Sequence, residues 1–193
     1  MAPDWRTGSL PELRALIGAA LADAARDVRD PWRTPVLATF STAAGPQART
    51  VVLREADLAH RRLTAWTDPR APKTAQLAAD PRAEWCFHDG VRRMQLRVST
   101  GIQVHRDDDI ARDAWTQVPP GNRMNYRCAR PPGTAIEDKA PDDTVADDTG
   151  PAHFAVLAAT VTEFDWLWLG DAGHRRARFR WDGTGWDEAW LVP

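Results

Sequence analysis

The chain is 193 residues long, with 25 basic and 27 acidic side chains and a formal net charge of -2. That length suits one domain, residues 1–193, and the charge balance removes the electrostatic argument for a nucleic-acid or membrane-surface partner. Hydrophobic residues at 43% argue against disorder. Cys86 and Cys128 are too far apart for a CxxC pair, and no apolar run approaches the roughly 20 residues of a bilayer span. The opening MAPDWRTGSL has no basic and then apolar leader pattern, so the expectation is a cytoplasmic protein.

Ser9-Leu10-Pro11-Glu12 has capping-box spacing. Leu10, Leu13, Ile17, Leu21, Ala24 and Val28 follow at helical intervals, which predicts an amphipathic N-terminal helix within residues 1–30, stopped before Asp30-Pro31. From Pro35 the period becomes two. Val36 to Ser41 reads as a strand, Ala44-Gly45-Pro46 as a turn, Ala48 to Glu55 as a second strand and Leu63 to Thr67 as a third. A loop over Asp68 to Pro72 leads to a short helix from Lys73 to Ala79, which Asp80-Pro81 stops. Ala83 to His88 and Arg93 to His105 are further strands, and Asp107 to Asp109 starts a helix that Pro119-Pro120-Gly121 ends. Residues 131–151 lack apolar periodicity and read as an irregular excursion. Phe154 to Phe164, Ala177 to Trp181 and Trp186 to Val192 complete the strands, the last two joined at Asp182-Gly183-Thr184-Gly185. The pattern is mainly antiparallel β with flanking helices, a small barrel of six or more strands, closed or split, and not a doubly wound sheet.

Ten tryptophans stand against one tyrosine. Core and interface packing is the ordinary reason, and a planar ligand the sharper one. In Arg49-Thr50-Val51-Val52-Leu53-Arg54 the apolar centre suggests a strand buried on both faces, with basic residues at its ends that must meet an anion, either a carboxylate of the protein or a phosphate. Arg70 and Lys73 add charge near a helix start, a place suited to phosphate. On the strand through Gln95, Arg93, Arg97 and Ser99 share the face opposite Met94, Leu96 and Val98. Near the C-terminus Trp168 precedes a basic cluster, His174-Arg175-Arg176-Ala177-Arg178. Five histidines are scattered without ligand spacing, so no metal is expected, and Cys86 between Trp85 and Phe87 reads as a packed core thiol.

Taken in order, these segments resemble the pyridoxamine phosphate oxidase family of FMN-binding split barrels, from about Trp32 to Pro193. The run 49–54 resembles the family's first FMN strand. Ala-Trp-Thr-Asp at 65–68 with Lys73 and the run 77–83 resembles its phosphate turn and helix. Gln-Leu-Arg-Val at 95–98 resembles the strand whose glutamine faces the flavin, and Trp168, Arg178 and the closing strand resemble its C-terminal flavin contact. The resemblance implies an antiparallel split β-barrel, FMN as cofactor, a homodimer with flavin sites at the subunit interface, and a small-molecule substrate. It implies that Arg49, Arg54 and Lys73 neutralise the FMN phosphate, with the backbone of Thr50, Val51, Val52 and Leu53 and the turn residues Trp66 and Thr67 completing the cradle. Gln95 would bond the polar edge of the isoalloxazine, and Trp168 and Arg178 would come from the other subunit.

On the substrate side the chain departs from the authentic oxidases. Arg54 stands where they end the strand with lysine, and Ala114 to Arg123 offers no tyrosine, arginine and serine set. Aligned without a gap, the family's substrate-side arginine and histidine fall on His174 and Arg176; with a one-residue gap, Arg175 takes the arginine position. This pattern, with the 131–151 excursion, is closer to the family's less characterised FMN-binding branch. The expected activity is that of an FMN-dependent oxidoreductase, oxidising pyridoxamine or pyridoxine phosphate with oxygen as acceptor. The alternatives are a flavin reductase-like enzyme with another substrate, or a barrel that binds flavin or haem without turnover.

Overall fold

The protein is described by a computed structural model covering residues 4–136, 147–171 and 173–193. Its core is one antiparallel sheet of nine strands. These are β1 (Val36–Ser41), β2 (Gly45–Thr50), β3 (Leu53–Asp57), β4 (Arg62–Thr67), β5 (Arg82–Asp89), β6 (Met94–His105), β7 (Ala155–Gly170), β8 (Gly173–Trp181) and β9 (Trp186–Leu191). Four helices flank it: α1 (Leu10–Ala24), α2 (Pro72–Ala79), α3 (Asp109–Thr116) and α4 (Pro120–Arg123). The hydrogen-bonded path runs β2-β1-β5-β6-β7-β4-β3, with β8 and β9 added beyond β7.

The two ends of that path, β2 and β3, are not paired with each other, so the barrel is split and not closed. This corrects the single strand expected over Ala48 to Glu55. Thr50 is the last residue of β2 and Leu53 the first of β3, and Val51 and Val52 carry the chain from one end of the sheet to the other. The Val51 N–H carries the β1–β2 register one step further, donating to the Pro35 carbonyl at 3.0 Å, before the chain crosses. Burial on both faces does not hold either: Val51 and Leu53 are buried, whereas Val52 is half-exposed and Thr50 exposed.

Alternation places the apolar faces inside. Trp85 and Phe87 on β5, Leu96 and Val98 on β6, and Phe164 and Trp166 on β7 are all fully buried. Cys86 therefore lies on the opposite face, half-buried, and is not the core thiol its neighbours suggested. Burial and the nearby Glu84 carboxylate push its thiol pKa up. On that same outer face Arg97 bonds Glu84 at 2.9 Å, and Arg176 bonds Asp165 at 2.6 Å. The charged ladder explains why these strands tolerate polar residues on one side.

Helix α1 begins at the expected capping box, in which the Ser9 N–H donates to the Glu12 carboxylate at 2.8 Å. It ends at Ala24, earlier than the apolar pattern to Val28 suggested, and Val28 is left exposed. Leu13, Ile17, Leu21 and Ala24 form its buried stripe against the sheet. The segment before it is pinned by Trp5, stacked on Trp166 with ring centroids 6.0 Å apart and edge-on to Trp32 at 6.3 Å. The turn expected at Ala44-Gly45-Pro46 occupies residues 42–44, with Gly45 already in β2, and Arg93 belongs to the β5–β6 turn. β7 runs past Phe164 to Gly170 and β8 starts at Gly173, so Trp168 and the whole basic cluster are on strands. Much of the 131–151 excursion, residues 137–146, lies outside the described residues; beyond it a short 3-10 helix spans Asp147–His153. No helix among the described residues is long and apolar enough to cross a membrane.

Trp166→Ala is expected to destabilise the fold by about 3–5 kcal/mol, the usual cost of emptying a buried aromatic site. Trp5→Ala should cost clearly less, because Trp5 is only half-buried. Urea unfolding of both variants, at unchanged denaturant slope, checks the order.

Candidate functional site

The split edge carries a polar cradle. Arg49, near the end of β2, donates from Nη1 to the Leu37 carbonyl at 3.2 Å and to Thr39 Oγ1 at 2.5 Å. Its Nη2 donates to Gln76 Oε1 at 3.2 Å, and the Thr39 hydroxyl donates to the same oxygen at 2.6 Å. Every one of these partners is neutral. Lys73 stands one turn before Gln76 on α2 and has no ion pair among the described residues. Burial, reinforced by the Arg49 charge, holds its ammonium below the ordinary lysine value, against a smaller pull from Asp68. Burial likewise lowers Arg49. Ala71 at the start of α2 provides no side-chain cap, so the positive end of the helix adds to the same field. Two half-buried cations without a carboxylate beside a bare helix start are the donor set that a phosphate ester satisfies.

Arg70, placed by sequence beside Lys73 as a second phosphate contact, is committed elsewhere. Its guanidinium is forked onto the buried Asp68 carboxylate, with Nη2 to Oδ2 at 2.7 Å. Thr67 is buried, and its hydroxyl donates to the Asp68 carbonyl at 3.3 Å. A cleft of about 730 Å³ opens next to the cradle, sharing Thr39 with it and bounded by Phe40, Pro46, Arg82, Glu84 and Ser99. That volume lies within the usual range for small-ligand sites.

Across the split, Arg54 is a third cation with no acid paired to it among the described residues. Its guanidinium lies 4.2 Å from the centre of the Trp66 ring, and its Nε is buried without a partner. Burial is the main cause of its lowered pKa, the Tyr126 hydroxyl opposes it and Arg33 adds to it. Tyr126, the chain's single tyrosine, packs edge-on to Trp115 at 5.7 Å and to Phe154 at 5.1 Å. The cation therefore has an aromatic bed and a neutral phenol, but no acid.

The C-terminal candidates are far from the cradle along the sheet. Four strands, β1, β5, β6 and β7, lie between Arg49 on β2 and Arg178 on β8. Gln95 is half-buried on β6, opposite Leu167. Trp168 folds over Gly170, where an added Cβ would come within 2.2 Å of its ring. Arg178 reaches Asp187 at 3.1 Å, and its Nε is buried and unpartnered. Strand alternation separates the three basic residues 174–176. His174 and Arg176 share the outer face with Arg178, whereas Arg175 points the other way, donating to the carbonyls of Trp5 at 2.9 Å and Gly8 at 3.0 Å.

Sequence reading missed Thr39, Gln76, Asp68 and Tyr126. Gln76 had a signal, since it is three residues from Lys73 on one helix face. Thr39 had a weaker one, lying diagonal to Arg49 across the β1–β2 pair. Tyr126 had only its singularity, and Asp68 read as part of a loop.

Residues 12–106 match the family model described as pyridoxamine 5'-phosphate oxidase, FMN-binding domain. That stretch belongs to the pyridoxamine 5'-phosphate oxidase-like FMN-binding family. The matched residues contain the whole cradle and Arg54. Solved structures extend the same fold over nearly the full chain. A pyridoxamine 5'-phosphate oxidase-related, FMN binding protein from Nostoc punctiforme PCC 73102 superimposes with a TM-score of 0.74 at 24% identity, covering 96% of this chain and 100% of that one. PhzG from Burkholderia lata 383, solved with tetrahydrophenazine-1-carboxylic acid, gives 0.72 at 19% identity over 96% and 93%.

A pH dependence follows from Lys73. Burial lowers its pKa in the free protein, so its positive charge is lost as pH rises through that depressed value, before an ordinary lysine would titrate. FMN affinity is expected to fall over that alkaline range, and Lys73→Arg should flatten the profile. Flavin fluorescence titrations at a series of pH values check this.

Proposed function

We propose that the protein is an FMN-dependent oxidoreductase that works as a homodimer on a small anionic substrate. The observation that carries the reading is the cradle: Arg49 bonds neutral groups only, Lys73 beside it has no ion pair among the described residues, and a phosphate ester would supply the missing charge. The residues present fit FMN. Arg49 and Lys73 would hold its phosphate, with Thr39 and Gln76 fixing the Arg49 guanidinium in place. Thr50 to Leu53 would offer the backbone of the split edge. Bound FMN supplies two-electron acceptance and return, which no side chain of the protein provides.

Arg54 would take the anionic end of the substrate. Its Nε and its place over Trp66 leave it free for a phosphate or carboxylate, and the neutral Tyr126 hydroxyl adds a donor. Pyridoxamine 5'-phosphate, with oxygen as acceptor, is the first substrate to test, and a planar aromatic carboxylic acid the second. The homodimer accounts for the C-terminal candidates. Along the sheet of their own chain Gln95, Trp168 and Arg178 are separated from β2 by two, three and four strands, so a partner's copy would complete each site. The buried Nε of Arg178 would then find its acceptor in the assembled site.

The purified protein is expected to retain a flavin band after gel filtration with added FMN, at about one flavin per chain. Arg49→Ala should lower FMN affinity about 10- to 100-fold, the range of a charge-assisted hydrogen bond to a buried phosphate. Its sedimentation should match the parent's. Loss of dimer mass together with the flavin, or undiminished affinity, would overturn the assignment of Arg49.

A further inference from the structure

The Arg70 guanidinium bridges two stretches of chain that the sequence keeps far apart. Its Nε donates to Asp68 Oδ1 at 3.0 Å and its Nη2 to Asp68 Oδ2 at 2.7 Å. The same Nη2 also donates to the Cys128 carbonyl at 2.9 Å, and Nη1 donates to the Ala129 carbonyl at 3.0 Å. One planar fork thus joins a buried carboxylate to two consecutive backbone carbonyls. Asp68 is itself built into the phosphate turn, since its carboxylate accepts the Arg70 N–H at 2.8 Å and its carbonyl accepts the Ala71 N–H at 3.1 Å. Thr74 locks the turn to the first residues of α2, donating to the carbonyls of Pro69 at 2.7 Å and Ala71 at 2.8 Å. On the other side, Cys128 and Ala129 directly follow the 3-10 turn Met124–Tyr126. That turn presents Tyr126 to the aromatic bed under Arg54.

We propose that Arg70 is a positioning residue that couples the phosphate cradle to the wall of the substrate side, seating residues 126–129 only while the turn 67–73 is held in place. The inference rests on the FMN reading above. Lys73 belongs to that turn, so phosphate bound at Lys73 resists any movement that would open the Asp68–Arg70 fork. With the fork closed, two carbonyls of the facing segment are fixed and Tyr126 stays against Trp115 and Phe154. With it open, the remaining ties of that segment include the His153 contact to the Tyr126 carbonyl at 3.2 Å. Ligand binding to the closed form disfavours local opening by mass action, about 10-fold with FMN at ten times its dissociation constant.

Cys128 reports on the segment directly. In a Cys86→Ser background, the reaction of Cys128 with a disulfide reagent is expected to slow about 10-fold on adding FMN at that concentration. Arg70→Lys keeps a charge opposite Asp68 but lacks the planar fork. It should bind FMN within about 3-fold of the parent, as its cradle is intact, and lose the FMN-dependent protection of Cys128. Arg70→Gln, the second variant, should lose it as well. Full protection in Arg70→Lys would overturn the proposal, and so would a parent that binds FMN without slowing Cys128. A parent that binds no FMN overturns the functional reading and the coupling with it. The clamp alone is then judged on apo rates, where faster reaction in Arg70→Gln supports it and equal rates reject it.

Discussion

Between Thr50 and Leu53 the chain steps from one end of the hydrogen-bonded path to the other, and only Val51 and Val52 span the step. An antiparallel sheet of this curvature would ordinarily close by pairing its two edges. Here the edges stay apart, and the polar groups that pairing would have consumed are open to other uses. Arg49 and Arg54, five positions apart in sequence, end on opposite sides of the gap. One is fixed by Thr39 and Gln76, the other lies on Trp66. The side chains around them come from β1 and β4, which the sheet order places beside β2 and β3, and from α2, tied to β1 through Gln76 and Thr39. The site is thus a consequence of where the sheet fails to close.

Holding such cations half-buried without acids costs stability, because desolvation is not repaid by a partner. The sheet can carry that cost through its apolar interior, where Trp32, Trp85, Phe87, Phe164, Trp166 and Phe179 are all fully buried. Elsewhere the fold is economical with charge. Arg97 and Arg176 have Glu84 and Asp165, Arg14 has Glu188, and Arg82 has Asp80. Against those pairs Arg49, Lys73 and Arg54 break the pairing rule, as do Arg33 and Arg175, whose guanidinium groups meet backbone carbonyls instead. Such breaches are expected at functional sites.

Strands and helices were largely legible because their periods are local properties. The two-residue alternation of Met94 to Val98 and the helical stripe of Leu13, Ile17 and Leu21 each declare a buried face without reference to the rest of the chain. The gap at Val51–Val52 was not legible, since an apolar pair continues a strand as naturally as it crosses between sheet ends. Cys86 was misplaced because its large neighbours suggested a core, whereas alternation puts Trp85 and Phe87 on one face and the thiol on the other. Arg49 and Lys73 could be read as charges near an apolar run and a helix start. Their lack of acidic partners could not, because pairing depends on contacts between distant segments. Arg70 shows the converse, a cation beside Lys73 that looks equivalent in sequence and is consumed by Asp68 and two carbonyls some 58 positions away.

The net charge of the chain had removed one class of partner, and the geometry shows how much that number conceals. An overall balance of 25 basic and 27 acidic residues is compatible with strong local imbalance when the acids are spent in pairs on the outer face and at helix starts. What remains without an acid at the split edge is Arg49, Lys73 and Arg54, a set suited in size to one or two phosphates, whereas Arg178 has Asp187. On the proposed dimeric reading those two regions face each other across subunits, and the long reach of β7 and β8 is what carries Trp168 and Arg178 beyond the matched domain. A fold that leaves its sheet open at one edge and extends it at the other can complete with a second copy what a single chain leaves unpaired.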